Sequence, residues 1–439
     1  MILIIIWWLT EKKHLGNALV IYLLSIIWLS FEIYLLYMSP YGTLVLEDSE
    51  QYKLFSQALV EHWRGNDVYI SEYSLPGLSR ENPTWKADAY ISYAKIFLSV
   101  HYLYEVYLGI FQYLTDMDLR WVLVGNVLFL AAVPVITFNI AGTIFEEKRY
   151  ALFAGGLTLL DPSFAGVGVY IIKDSLTVFL VSILLLVSIK ILNDKPSFRM
   201  LLLFAVFIVL TAISRYPAII GVYGGLVFFL LLMKFRNKQP VARLVVVMIA
   251  AFIMTGYAHY QNKYFEEMFT VNPYPILKTL KNKGEINFND KVNVSDEAGN
   301  SGRIAGSQKE TRTDEPVTAE DSFALRIAKS ITHTLFAPYP WTIISSGVQY
   351  KFSELFIPGV TMWILALPFV VFFLFRASYL NAPEILFLVS TSAIIMFLYI
   401  VGYGEFSTRH RVFLLPVYWV LATAGFRSFS IYVKNYRKS

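Results

Sequence analysis

The sequence predicts an all-α, polytopic membrane protein, and three observations predict it. Of 439 residues, 56% are apolar and only 16% charged, against about 45–50% and about 25% in a soluble domain. Apolar runs long enough to cross a bilayer recur along the chain. The Lys and Arg residues cluster in the short segments between those runs. With a mean hydropathy of +0.54, the apolar surface exceeds what one globular core can hide, so lipid is the expected solvent.

The runs define the elements. A spanning helix needs about 20 predominantly apolar residues, and candidates lie at 18–38, 121–145, 149–168, 175–193, 200–214, 216–235, 241–260, 356–375, 383–402 and 412–433. Pro134 and Pro368 fall inside two of them, which membrane helices tolerate where neighbouring helices re-satisfy the backbone. Aromatics make up 16% of the chain, and Tyr and Trp suit the boundary between water and lipid. Met1 to Leu9 is apolar but lacks a basic n-region, and no small-x-small site follows the next run, so no cleavable signal peptide is expected. The absence of cysteine excludes disulfides and thiolate metal sites.

The stretch 88–114 has the length of a span but carries Lys95, His101 and Glu105. Each such charge at mid-bilayer costs roughly 2.5–3.5 kcal/mol on insertion scales, so the stretch reads as a pair of interfacial helices lying along the membrane. Parity supports this reading. If 88–114 does not cross and the N-terminus is cytoplasmic, Lys12, Lys13, Lys190–Arg199, Lys234–Arg243 and the tail Lys434–Ser439 all face inward. If it crosses, the later basic loops turn outward against the positive-inside preference. The expected organisation is therefore a cytoplasmic N-terminus and first span (1–38), a first outer loop with amphipathic helices (39–118), a transmembrane bundle (119–260), a second outer loop (261–355), and C-terminal spans with a cytoplasmic tail (356–439). The net charge of +5 is distributed as topology signals rather than as a groove for nucleic acid, so no nucleic-acid partner is expected.

Four constellations then fall on the outer face. The first is LVLEDSEQY (44–52), where Glu47 and Asp48 open an amphipathic run with Tyr52, Phe55, Leu59 and Trp63 on one face. A carboxylate held there suits a general base or a divalent-cation ligand, although an N-capping role explains it equally. The second is YIIKDSLTVFLV (170–181), with Lys173 and Asp174 at the start of a span, where the helix dipole favours an acid. The third is ISRYP (213–217), with Arg215 between two spans. The fourth is GEFSTRHRVFLLP (404–416), with Arg409, His410 and Arg411 just outside the last span. Arginines there oppose the positive-inside preference, and a guanidinium fork suits phosphate oxygens. The six histidines have no metal-ligand spacing.

This layout resembles the GT-C superfamily of membrane glycosyltransferases, which includes protein O-mannosyltransferases and the lipid A aminoarabinose transferase. Glu47-Asp48 and Tyr52 match the acidic motif after the first span, and Lys173-Asp174 match the acid that enters a later helix. Arg215-Tyr216-Pro217 match an outer Arg-Pro turn approximately, and Arg409, Arg411 and Pro416 match a late R-x-R-x-x-x-x-P element. The resemblance implies a GT-C-like bundle of about 10–11 transmembrane helices in a bacterial cytoplasmic membrane, with an extracytoplasmic active site. It also implies a polyprenyl-phosphate-linked sugar as donor and a glycan, lipid or protein as acceptor. In that reading Asp48 is the base, Asp174 a second catalytic carboxylate, and Arg409, Arg411, Arg215 and Lys173 hold the donor phosphate. Glu47, Tyr52 and His410 face substrate. A divalent cation, Mg or Mn, is the cofactor that Asp48 and Asp174 would hold. The chain departs from the pattern in its second acid near Asp174, for which Asp161 in LLDPSF is the nearest candidate and is expected to fall short of the site. Two alternatives stay open: a polymerase or ligase of lipid-linked surface polysaccharide, which needs no Asp after the first span, and a lipid or polysaccharide transporter, which predicts charges buried within helices.

Overall fold

The structure is a computed structural model. It describes residues 2–43, 102–115, 120–145, 147–193, 197–235, 355–375, 383–403 and 408–436, with isolated positions at 49, 52–53, 56–57, 59–60, 63–64, 248, 251–252 and 332. These residues are 93% helical and contain no strand. Among the described residues, five helices are long and apolar enough to cross a membrane, namely Lys12–Met38, Arg120–Ile144, Asp174–Leu192, Ile357–Phe375 and Arg409–Tyr436. Three shorter apolar helices, Phe198–Ser214, Ala218–Leu231 and Pro383–Tyr399, accompany them. The chain is an all-α membrane protein. Of the expected elements, the span at 241–260, the loop 261–354 and the segment 65–101 lie wholly or almost wholly outside the described residues.

The described helices run α1 (Ile2–Leu9), α2 (Leu15–Met38), α3 (Tyr102–Leu114), α4 (Arg120–Ile144), α5 (Lys148–Leu159), α6 (Ser163–Gly168), α7 (Asp174–Asn193), α8 (Phe198–Ser214), α9 (Tyr216–Phe235), α10 (Ile357–Phe375), α11 (Pro383–Tyr403), α12 (Thr408–Arg411) and α13 (Leu415–Tyr436). A short 3-10 turn, Val412–Leu414, joins α12 to α13. Helices α4 and α7 form the centre, with 78% and 89% of their apolar windows buried, whereas α2 and α10, at 22% and 33%, turn most of their surface outward. Helix α4 packs on α2, α5 and α7; α7 continues to α8, and α9 pairs with α11, while α10 lies along α13.

Lipid supplies no hydrophobic drive between helices, so close packing and hydrogen bonds hold the bundle. Small residues do the first. On α9, a side-chain carbon at Gly221 would overlap Ile395, and one at Gly225 would overlap Thr391, so α11 lies directly against the α9 backbone. Asn126 does the second: its amide nitrogen on α4 donates to the carbonyls of Gly168 and Tyr170, both at 3.1 Å. Asn139 ties α4 to Thr10 at 3.0 Å, and Tyr170 donates to the Tyr41 carbonyl at 2.8 Å. Interhelical bonds of this kind contribute about 0.6 kcal/mol each on average.

The expected single span 149–168 is corrected. It forms two helices, α5 and α6, interrupted at Leu160–Pro162. Pro162 lacks an N–H and disfavours helical geometry in the residue before it. Asp161 completes the break by accepting the Ser163 amide at 3.0 Å, a local turn typical of Asp. With 12 residues, α5 alone reaches about 18 Å, short of the roughly 30 Å of hydrocarbon, so the passage from Lys148, beside Lys190, to Asp174 at the other end of α7 takes α5 and α6 together.

Helix α3 has 13 residues, about 20 Å, and is likewise too short to cross. Tyr104, Glu105, Leu108 and Gln112 form its buried face, and Ile110, Tyr113 and Leu114 are exposed. Its buried side therefore carries the polar groups, the reverse of an ordinary surface helix. Tyr52, Ser56, Leu59 and Val60 are also buried. Tyr52 meets Tyr104 edge-on at 5.1 Å, and Trp63 meets Tyr113 at 6.2 Å, so helical residues between positions 52 and 63 pack against α3.

Candidate functional site

Asp174 begins α7, and the helix dipole accounts for an acid there. The structure adds two specific partners. Arg215 lies between α8 and α9 in extended conformation (φ −158°, ψ 93°), which turns its side chain away from the helix path. Its Nη1 donates to Asp174 Oδ1 at 2.7 Å. Arg409 arrives from α12, with Nε 3.1 Å from Asp174 Oδ2. The Arg215 Nε donates to the Tyr399 hydroxyl on α11 at 2.6 Å, and its guanidinium lies 4.9 Å from the Phe413 ring centroid. A hydrogen bond of 3.0 Å between Thr177 and Ser214 locks α7 to α8 beside the pair. Segments separated by up to 235 residues in sequence thus meet around one carboxylate.

Asp174 is fully buried, and Lys173, Arg215 and Arg411 are each more than nine-tenths buried. His410 stacks near Tyr399, with ring centroids 4.5 Å apart, and lies within electrostatic reach of Lys173. Tyr104 is fully buried; burial holds its phenol well above the ordinary range, and Tyr107, Tyr52 and Asp174 add to the effect. Tyr52 and α3 therefore belong to the same neighbourhood as Asp174.

Arg411 faces a second carboxylate. Asp161 is fully buried, accepts the Trp419 indole N–H at 3.0 Å, and interacts electrostatically with Arg411 and with Glu32 of α2. The Arg411 guanidinium lies 5.4 Å from the Trp363 ring centroid, and Trp363 stacks on Tyr418 at 3.5 Å. The expectation that Asp161 falls short of the site is thereby corrected. The Asp-Pro break that ends α5 carries Asp161 to the segment that also supplies Arg409.

The site thus contains two acid–arginine cells joined by α12. Lys173, Arg215, Arg409 and Arg411 gather with Asp161 and Asp174, with Glu32 acting on Asp161 and Glu105 buried on α3. Each oxygen of Asp174 lies within ion-pair distance of one arginine. Among the described residues, no three His, Cys, Asp or Glu side chains are grouped to hold a metal ion. Glu47 and Asp48 lie outside the described residues.

Sequence reasoning brought Asp174, Arg215, Arg409, Arg411, Lys173, His410 and Tyr52 to one region and missed Tyr399, Trp419, Trp363 and Glu32. Only Asp161 carried a readable signal, an Asp-Pro pair interrupting an apolar run. No family model matches the chain, and no curated protein matches it.

Proposed function

We propose that the chain is a GT-C-type glycosyltransferase that moves a sugar from a polyprenyl-phosphate carrier to an acceptor hydroxyl on the extracytoplasmic face of a bacterial cytoplasmic membrane. The observation that carries this reading is the convergence of Arg215 and Arg409 on Asp174 beside Lys173, gathered from the start of α7, the turn before α9 and α12. Arginine forks gathered at the end of a membrane bundle suit the oxygens of a lipid-borne phosphate.

In this mechanism the acceptor oxygen attacks the anomeric carbon and its proton passes to Asp48. The bond from that carbon to the phosphate oxygen breaks with inversion, and polyprenyl phosphate leaves with the electron pair. Arg409, Arg411, Arg215 and Lys173 offset the charge that develops on the leaving oxygen. Asp174 holds Arg215 and Arg409 in position rather than accepting a proton. Tyr52 and His410 border the substrate space, with Glu47 beside the base in sequence.

The test uses the full chain in proteoliposomes supplied with labelled polyprenyl-phosphate sugars and candidate acceptors. Asp48→Asn is expected to reduce transfer by about 10²–10⁴-fold, the usual range for losing a general base. Arg409→Ala is expected to weaken donor use. Unchanged transfer by folded Asp48→Asn removes Asp48 from the mechanism, and unchanged donor affinity in Arg409→Ala removes the phosphate assignment.

A second reading, a transporter of a lipid-linked anion, is favoured by one observation: the interrupted α5–α6 helix with buried Asp161 at its break. Discontinuous helices with ionisable residues are typical of transport sites. Transbilayer movement of a labelled lipid-linked sugar without any acceptor, abolished in Asp161→Asn, would favour it over transfer.

A further inference from the structure

Helix α1 is apolar on every side. Ile6 and Leu9 are buried, and Ile2 and Ile5 are partly buried against the core, where the helix packs on α4. Leu3, Ile4, Trp7 and Trp8 point the other way and are 54%, 58%, 57% and 49% exposed. The two sets follow helical spacing, so they are opposite faces of one helix. A helix whose outer face meets water keeps that face polar, whereas one that is apolar all round has apolar surroundings.

Length separates α1 from the first span. Helix α2 has 24 residues, about 36 Å, and crosses the roughly 30 Å of hydrocarbon without help. Helix α1 has 8 residues, about 12 Å, and cannot cross. Between them Glu11, Lys12 and Lys13 are exposed, and Lys12–His14 form a 3-10 turn. The end of α1 is tied to α4, where Asn139 donates to Thr10 at 3.0 Å. Asn139 stands five residues before the end of α4 at Ile144, about 7.5 Å along its axis. Helices that lie in the interface bury an apolar face about 5–10 Å into the boundary between headgroups and acyl chains. Two adjacent tryptophans suit that boundary, and the exposed Lys12 beyond them suits lipid phosphates.

We propose that α1 is an interfacial anchor, lying between α4 and the lipid of the leaflet nearest Lys12, with Leu3, Ile4, Trp7 and Trp8 against acyl chains and Lys12 among the headgroups. Its partner is the membrane lipid itself, met by an apolar face. The assignment rests on the membrane class of the chain and is independent of the sugar-transfer reading.

Because the chain has no cysteine, the test uses full-length variants with one cysteine each, Ile4→Cys, Trp8→Cys and Lys12→Cys, labelled with an environment-sensitive fluorophore. In phosphatidylcholine nanodiscs, each label is quenched in turn by phosphatidylcholine carrying a nitroxide high on its acyl chain and by iodide in the water. Labels at 4 and 8 should be quenched several-fold more by the lipid nitroxide than the label at 12, and the label at 12 several-fold more by iodide. All three side chains are exposed or at a helix-turn surface, so the substitutions open no cavity. Leu3→Cys replaces Ile4→Cys if the latter unfolds at a lower temperature than the parent. Iodide quenching at 4 and 8 equal to that at 12 puts the outer face in water and overturns the proposal. Protection of 4 and 8 from both quenchers puts protein over that face and overturns it equally.

Discussion

Asp174 shows how much one side chain can hold together. Two guanidiniums from separate helices converge on it in a site almost closed to water. Removing one partner from a buried charge group costs about 3–5 kcal/mol, because the remaining charges stay desolvated. Asp174→Asn should therefore lower the unfolding temperature of the purified protein as well as any activity. The double variant Asp174→Asn/Arg215→Leu should recover part of the loss, since one stranded cation is gone. A single variant as stable as the parent would contradict the pairing. At this scale the sequence was readable where charges stood at the ends of apolar runs, as with Asp174, Arg215 and Arg409. Tyr399 and Trp419 were not, because a chain with 29 Tyr and 9 Trp offers no reason to choose these two before their partners are known.

Helix boundaries followed the apolar runs closely, since lipid demands a minimum length of continuous helix. The exceptions have local causes. The α5–α6 break rests on Asp161-Pro162, and the turned face of α3 rests on Glu105 and Gln112 packing inward, which periodicity alone does not orient. The α9–α11 contact was also hidden, because glycine in a membrane helix marks a close approach only once its partner is known. Its importance is testable. Gly225→Val should force α9 from Thr391 and cost about 1–3 kcal/mol, the usual penalty of overpacking. Because α11 carries Tyr399, the Arg215–Tyr399 contact and any activity that needs it should weaken as well. Gly16→Val, at a position with open space around it, serves as the control. Equal behaviour of the two variants would show that the α9–α11 contact is not tight.

For the whole molecule, the absence of cysteine makes topology directly measurable. Single cysteines at Lys12, Met38 and Arg199 can be labelled in intact vesicles with an impermeant thiol reagent. Positions 12 and 199 should react from one side and position 38 from the other. A different pattern would break the alternation on which the inward placement of the basic loops depends. Sequence alone reached the membrane class because hydropathy is summed over many residues. It could not show which arginines meet which carboxylates, since that depends on which helices become neighbours.

The short helix α12 sets Arg409 against Asp174 and Arg411 near Asp161 from one turn of backbone. Register is consequently indivisible there. A single alanine inserted between Tyr403 and Thr408 leaves the spacing of the two arginines unchanged, but the same insertion between Arg409 and Arg411 rotates one arginine by about 100° relative to the other. Both carboxylates could then no longer be served at once, and the second insertion alone should destabilise the protein.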